Sequence, residues 1–126
     1  MAKKAKRARK LFGGGMRQAG IIAAGALYAL EHHIDRLAED HANARILADA
    51  IRSVPSFELR PAEIDTNIII FHVDPKVGTA ADFVARLKDQ GVWMYAIGPQ
   101  LIRAVTHLDI SRSDAENAAQ IVRRFA

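Results

Sequence analysis

Two places in this sequence carry residue types that could grip an anion. The first is Lys10-Leu11-Phe12-Gly13-Gly14-Gly15-Met16-Arg17. Three successive glycines allow backbone N–H groups to turn toward one point. A helix starting after them offers unpaired N–H groups and the positive end of its dipole. Arg17 would stand in the first turn of that helix, where a cation is unfavourable unless an anion binds beside it. Lys10, just before the glycines, could reach the same anion. The spacing is not that of a Walker loop, and a flexible helix–helix linker fits it equally well.

The second place is Arg103, within Leu101-Ile102-Arg103-Ala104-Val105-Thr106-His107. A guanidinium interrupting an apolar strand either points to solvent or holds a planar anion through two parallel hydrogen bonds. His107 and Asp109 beyond it fit a strand-end turn or a polar pair beside a site. His32, His33, Asp35 and His41 have metal-ligand chemistry. Adjacent helical residues do not share a face, however, and these read as helix-end and packing residues. No Ser/His/Asp nucleophile arrangement or carboxylate dyad stands out. The absence of cysteine excludes disulfides, Cys-based zinc sites and thiol nucleophiles.

The elements that would position these groups follow from periodicity and turn chemistry. Residues 3–11 read as a short basic helix, ended by the glycines. Met16–His33 carries no charge from Gln18 to Leu30 and reads as a largely buried helix, weakened by Gly20 and Gly25. Asp35–Ser53 is a second helix, with an apolar stripe through Ile34, Leu37, His41, Ala44, Ile46, Leu47 and Ile51. Arg36, Glu39, Asp40, Asn43 and Arg45 lie on its other faces. Strands are expected at Phe57–Arg60, Asn67–Val73, Val92–Ala96 and Leu101–Thr106. Thr79 caps a helix through Gln90 that Gly91 ends, and Ser113 caps the last helix. The expected fold is α/β (α+β): a small, mostly antiparallel sheet of about four strands with helices on one side, preceded by two long helices. Residues 1–126 read as a single domain: a basic helix or arm (1–12), a glycine-rich loop (13–17), helices (18–53) and an α/β subdomain (54–126).

Half of the 126 residues are hydrophobic and a quarter are charged, the profile of a soluble globular protein. No apolar run is long enough to span a bilayer, and no apolar core follows the basic N-terminus as in a secretory signal. A cytoplasmic protein is expected. Lys3, Lys4, Lys6, Arg7, Arg9 and Lys10 place six of the eighteen basic residues in the first ten positions. The net charge of +4 therefore belongs to that arm.

Arg9-Lys10-Leu11-Phe12-Gly13-Gly14-Gly15-Met16-Arg17-Gln18-Ala19-Gly20 closely resembles the R-K-x-x-G-G-G-M-R-Q-A-G signature of the L-threonine aldolase (β-eliminating lyase) family. The resemblance continues through 26–30 and 35–44. It returns at Thr66-Asn67-Ile68 and at 102–111, so it covers nearly the whole chain. It implies the C-terminal domain of a fold type I pyridoxal-phosphate (PLP) enzyme, assembled as an oligomer. Such enzymes cleave threonine or allo-threonine to glycine and an aldehyde. Carried over by motif, Lys10, Gly13, Gly14, Gly15 and Arg17 would contact the cofactor phosphate or the active-site edge of a neighbouring subunit. Arg103 would bind the substrate α-carboxylate. The family's Schiff-base lysine, the aspartate facing the pyridine nitrogen and the histidine on the ring lie upstream of Arg9. No catalytic residue is therefore assigned here, PLP is not covalently held by this chain, and no metal is expected.

The expected function is the C-terminal portion of such an aldolase, inactive alone. Its partners would be the missing PLP-binding domain or a neighbouring subunit and a small β-hydroxy amino acid, with no membrane. The alternatives are an interaction module whose basic arm binds nucleic acid weakly, or an oligomerisation domain. With no aromatic residues interleaved in the arm, specific nucleic-acid recognition is not expected.

Overall fold

A computed structural model describes residues 1–125. The chain divides into two compact units, Met1–Asp35 and the remainder from Arg36.

The first unit holds α1 (Ala2–Leu11) and α2 (Gly20–His32). Helix α1 ends in a Schellman cap. Gly13 takes φ +79°, the Gly14 amide donates to the Arg9 carbonyl (2.8 Å), and the Gly13 amide donates to that of Lys10 (3.3 Å). Helix α2 begins at Gly20 and not at Met16, with no side-chain cap at its start. The expected burial of this helix is not found: none of its residues is buried, and Ile21 is 82% exposed. A helix apolar on all sides needs protein around it, and α1 does not bury it within the first unit. His32 stacks on Tyr28 at 4.1 Å, and the His33 ring meets Tyr28 edge-on, so both act as packing residues at the helix end.

The second unit holds α3 (Leu37–Arg52), β1 (Phe57–Leu59), β2 (Ile68–Val73), α4 (Ala80–Asp89), β3 (Tyr95–Ala96), β4 (Leu101–Val105) and α5 (Arg112–Arg123). The four strands form one antiparallel sheet in the order β1-β2-β4-β3. Phe57, Leu59, Ile69, Phe71, Val73, Ile102 and Ala104 are buried on one face. They join the core with Ala44, Leu47, Ala48 and Ile51 of α3, Phe83 and Leu87 of α4, and Ala119 and Val122 of α5. All three helices therefore cover the same side, as expected.

Local chemistry sets the boundaries. Thr79 and Asp82 close a capping box at the start of α4. Its end is a second Schellman cap, with Gly91 at φ +83° and the Val92 amide donating to the Leu87 carbonyl (2.9 Å). That bond takes Val92 out of strand pairing, and β3 is Tyr95–Ala96, shorter than expected. Helix α5 is capped by Ser111 and not by Ser113. Asp114 lies three residues after Ser111, so each side chain bonds the other's backbone N–H.

Candidate functional site

Strand alternation decides where Arg103 points. Its neighbours Ile102 and Ala104 face the helices, which puts Arg103 on the open face of the sheet, where it is exposed. It lies opposite Ile70 of β2 and opposite Tyr95 of β3. Among the described residues no carboxylate comes within ion-pair distance of it. Around it is a cavity of 550 Å³ lined by Trp93, Tyr95, Arg103, Val105, His107 and Ile110, with Gly91 at its edge. An unpaired guanidinium in a half-apolar hollow can hold a carboxylate or phosphate through two parallel hydrogen bonds.

The strand end beyond Arg103 is pinned from below. The buried polar residues among those described are Asp40, Asn43 and Thr106, and they gather at this point. The Thr106 hydroxyl donates to the Asp40 carbonyl (2.7 Å). The Asn43 amide donates to the Ile110 carbonyl (3.0 Å). The Asn67 side chain donates to the Thr106 carbonyl (2.6 Å), and the Thr106 amide donates to that of Asn67 (3.1 Å). Asp40 in turn takes a bidentate pair from Arg36, at 2.7 and 3.0 Å. The Asp40 hydrogen bond raises the Arg36 guanidinium pKa above the usual arginine value. Sequence periodicity set Asp40 and Asn43 on the outer faces of their helix, and the structure buries both. Each lies four residues before a core position, Ala44 and Leu47, at the edge of the buried stripe. That spacing is the signal that could have placed them.

His107 and Asp109 form a strand-end turn, closed by the Ile110 amide on the His107 carbonyl (2.8 Å). His107 also lines the Arg103 cavity, and Asp109 does not. The Asp109 amide donates to His107 Nδ1 (3.3 Å), which places the imidazole proton on Nε2. The Asp109 carboxylate, 3.6 Å from the same nitrogen, becomes its partner when the ring is protonated.

The glycine loop belongs to the first unit and differs from expectation in two respects. The Gly13, Gly14 and Gly15 amides do not converge on open space. They donate to the carbonyls of Lys10, Arg9 and Gly13. Closing the end of α1 uses the Gly13 and Gly14 amides, because a helix leaves its last carbonyls unpaired and glycine can adopt the left-handed turn that reaches them. Arg17 precedes α2 instead of lying in its first turn. Lys10 and Arg17 are exposed and have no acidic partner among the described residues.

Comparison with known proteins places these features in a family. The description "Beta-eliminating lyase" matches residues 1–74. The chain belongs to the beta-eliminating lyase family. Its sequence is 39% identical over 123 residues to the low specificity L-threonine aldolase of Escherichia coli, covering 98% of this chain and 35% of that protein. It is 39% identical over 115 residues to the probable low-specificity L-threonine aldolase 2 of Arabidopsis thaliana, covering 90% and 32%. The chain thus spans about a third of the length of these relatives. Among solved structures, a mutant of the cystine C-S lyase C-DES with glycine covalently linked to its PLP cofactor superimposes with a TM-score of 0.63 at 19% identity. The match covers 86% of this chain and 29% of that one. At that identity the likeness establishes the α/β fold alone, which is the fold expected from the C-terminal part of fold type I PLP enzymes.

Lys10 and Arg17 of the first unit have the chemistry to hold the phosphate of such a cofactor, and Arg103 of the second has the chemistry to hold a carboxylate. All three are exposed and, like most lysines and arginines of the chain, have no acidic partner among the described residues.

Proposed function

We propose that this chain forms the C-terminal part of a PLP-dependent L-threonine or allo-threonine aldolase and is inactive alone. The observation that carries this reading is Arg103, the unpaired cation on an otherwise largely apolar sheet face, held on a strand whose end is anchored by buried hydrogen bonds. Its guanidinium would orient the substrate by gripping the α-carboxylate through both oxygens. Lys10 and Arg17 would hold the cofactor phosphate, with Gly13 and Gly14 keeping the helix end tight enough for Lys10 to reach it and Gly15 leading on to Arg17. Bound PLP would supply the electron sink for cleavage next to the α-carbon. The partner is a complementary PLP-binding domain, within the same protein or from a neighbouring subunit, and the location is the cytoplasm.

The test is complementation. The chain and the remaining part of the Escherichia coli relative would be co-expressed, and acetaldehyde release from threonine measured with PLP present. The chain alone should release none, the pair should, and Arg103→Leu in the pair should raise KM at least tenfold. Turnover by the isolated chain, or an unchanged KM in Arg103→Leu, would overturn the reading.

A second reading has one observation behind it. Lys3, Lys6, Arg7 and Lys10 line a single hollow along α1, which suits weak, salt-dependent contact with nucleic-acid phosphates. Duplex DNA binding that disappears on deletion of residues 1–10 and falls steeply with salt would favour it.

A further inference from the structure

We infer that a second hollow, on the helix side of the sheet, is a binding site for an uncharged, ring-sized molecule carrying one hydroxyl group. It is independent of the carboxylate reading of Arg103.

Ile102, Ala104 and Thr106 are buried and alternate with Arg103 and Val105, so they face the helices. Pairing of β3 with β4 joins Tyr95 to Arg103 and Ala96 to Ile102, and stops there. Continued, it would set Met94 against Ala104 and Trp93 against Val105. The two segments instead part, and a cavity of about 160 Å³ lies between 92–94 and 104–106. Leu47 of α3 and Ala115 and Ala118 of α5 complete its walls. Arg103 lines the other hollow and not this one.

Size and lining set the class of ligand. Leu47, Met94, Ala104 and Ala115 are each no more than 5% exposed. Close-packed cores leave few voids larger than a water molecule, and an apolar cavity of about 150 Å³ takes a benzene ring. Among the described residues no lysine or arginine lines the hollow. Asp114 at its edge is held by the Ser111 amide (3.0 Å) in the α5 cap. An ion would lose its water here without gaining a partner, so the ligand is uncharged.

The open edge of β4 adds the hydroxyl. The Thr106 amide donates to the Asn67 carbonyl, toward β2. Successive residues of an antiparallel strand send their backbone groups to opposite sides, so the Val105 N–H and C=O point toward 92–94. No backbone hydrogen bond joins Val105 to Trp93 or Met94. A hydroxyl both donates and accepts. It can bridge these edges while the ring fills the apolar part.

The experiment titrates the full chain with phenol, benzene and 2-naphthol, following the methyl NMR signals of Ala104, Ala115 and Ala118. Phenol and benzene should shift them. Phenol should bind about fivefold more tightly, the size expected of one net hydrogen bond. The second ring of 2-naphthol should exclude it. Ala118→Leu, which fills the hollow, should abolish phenol binding, and Arg103→Leu should leave it unchanged. Circular dichroism would establish that the variants fold, and the size series in the unaltered chain decides the matter if Ala118→Leu does not. Equal affinity for benzene and phenol would overturn the hydroxyl requirement. No shift with either, binding of 2-naphthol as tight as phenol, phenol binding retained in folded Ala118→Leu, or its loss in Arg103→Leu would overturn the site. Each of these failures leaves the carboxylate reading of Arg103 standing.

Discussion

Replacing Asn43 by alanine should loosen the segment that follows Arg103. Asn43 is 5% exposed, and its amide donates to the Ile110 carbonyl at 3.0 Å, joining positions 67 residues apart. The variant loses that bond and strands the carbonyl. A net hydrogen bond of about 1 kcal/mol plus a similar desolvation penalty gives about 2 kcal/mol. For a body of this size that lowers Tm by about 8–16 °C and the urea midpoint by about 1–2 M. Thr106→Val removes one donor without changing shape. The Asp40 carbonyl it served lies within α3, so the cost should be smaller, about 1 kcal/mol. The two changes release the same segment, and the double variant should lose less than the sum. Hydrogen exchange gives the local test. The Ile110 amide, bonded to the His107 carbonyl at 2.8 Å, should lose protection in Asn43→Ala well beyond the Phe71 amide in β2. A destabilisation below about 0.5 kcal/mol, or an equal loss of protection at both sites, would refute the claim that Asn43 anchors this loop.

Gly91→Ala should cost about 1 kcal/mol in thermal unfolding, because Gly91 sits at φ +83°. Gly98→Ala should be neutral, since a Cβ there meets Leu101 at an ordinary 3.6 Å and φ is not positive. Equal effects of the two would remove the conformational argument. Arg103→Leu should change stability by less than about 0.5 kcal/mol, as an exposed side chain without an ionic partner contributes little to folding; a large loss of Tm would assign it a structural role. Asp82 and Asp114 have pKa values lowered by hydrogen bonds from Thr79 and Ser111. A depressed folded pKa gives stability that is complete above the unfolded value, about pH 4, and is lost as pH falls through the folded one. Asp82→Asn with Asp114→Asn should therefore flatten the fall of Tm in acid; an unchanged acid slope would count against the capping boxes as its source.

What the sequence determined by itself was local. The Thr79 cap and the Gly91 stop of α4 rest on bonds spanning a few residues, and the run Ile68–Val73 is strand-forming on its own composition. Each can be read within a short window, because the groups that satisfy one another are neighbours in the chain. The family signature around the glycines was equally legible, although the use of their amides was not. Whether Gly13–Gly15 open toward a ligand or fold back on α1 depends on the carbonyls left over at that helix end, and the structure resolves it in favour of the cap.

The tertiary structure alone decided the candidate site. The sequence offered Arg103 as either an outward-facing residue or an anion grip; the structure shows that it faces away from the core and lines a hollow. That hollow exists because the antiparallel register sets Tyr95 across from Arg103, and no local pattern specifies which residues two distant strands bring together. The anchoring by Asp40, Asn43 and Thr106 has the same origin. Polar residues at the edge of a helical stripe look solvent-facing until a strand end more than sixty residues away supplies the groups that satisfy them in the core.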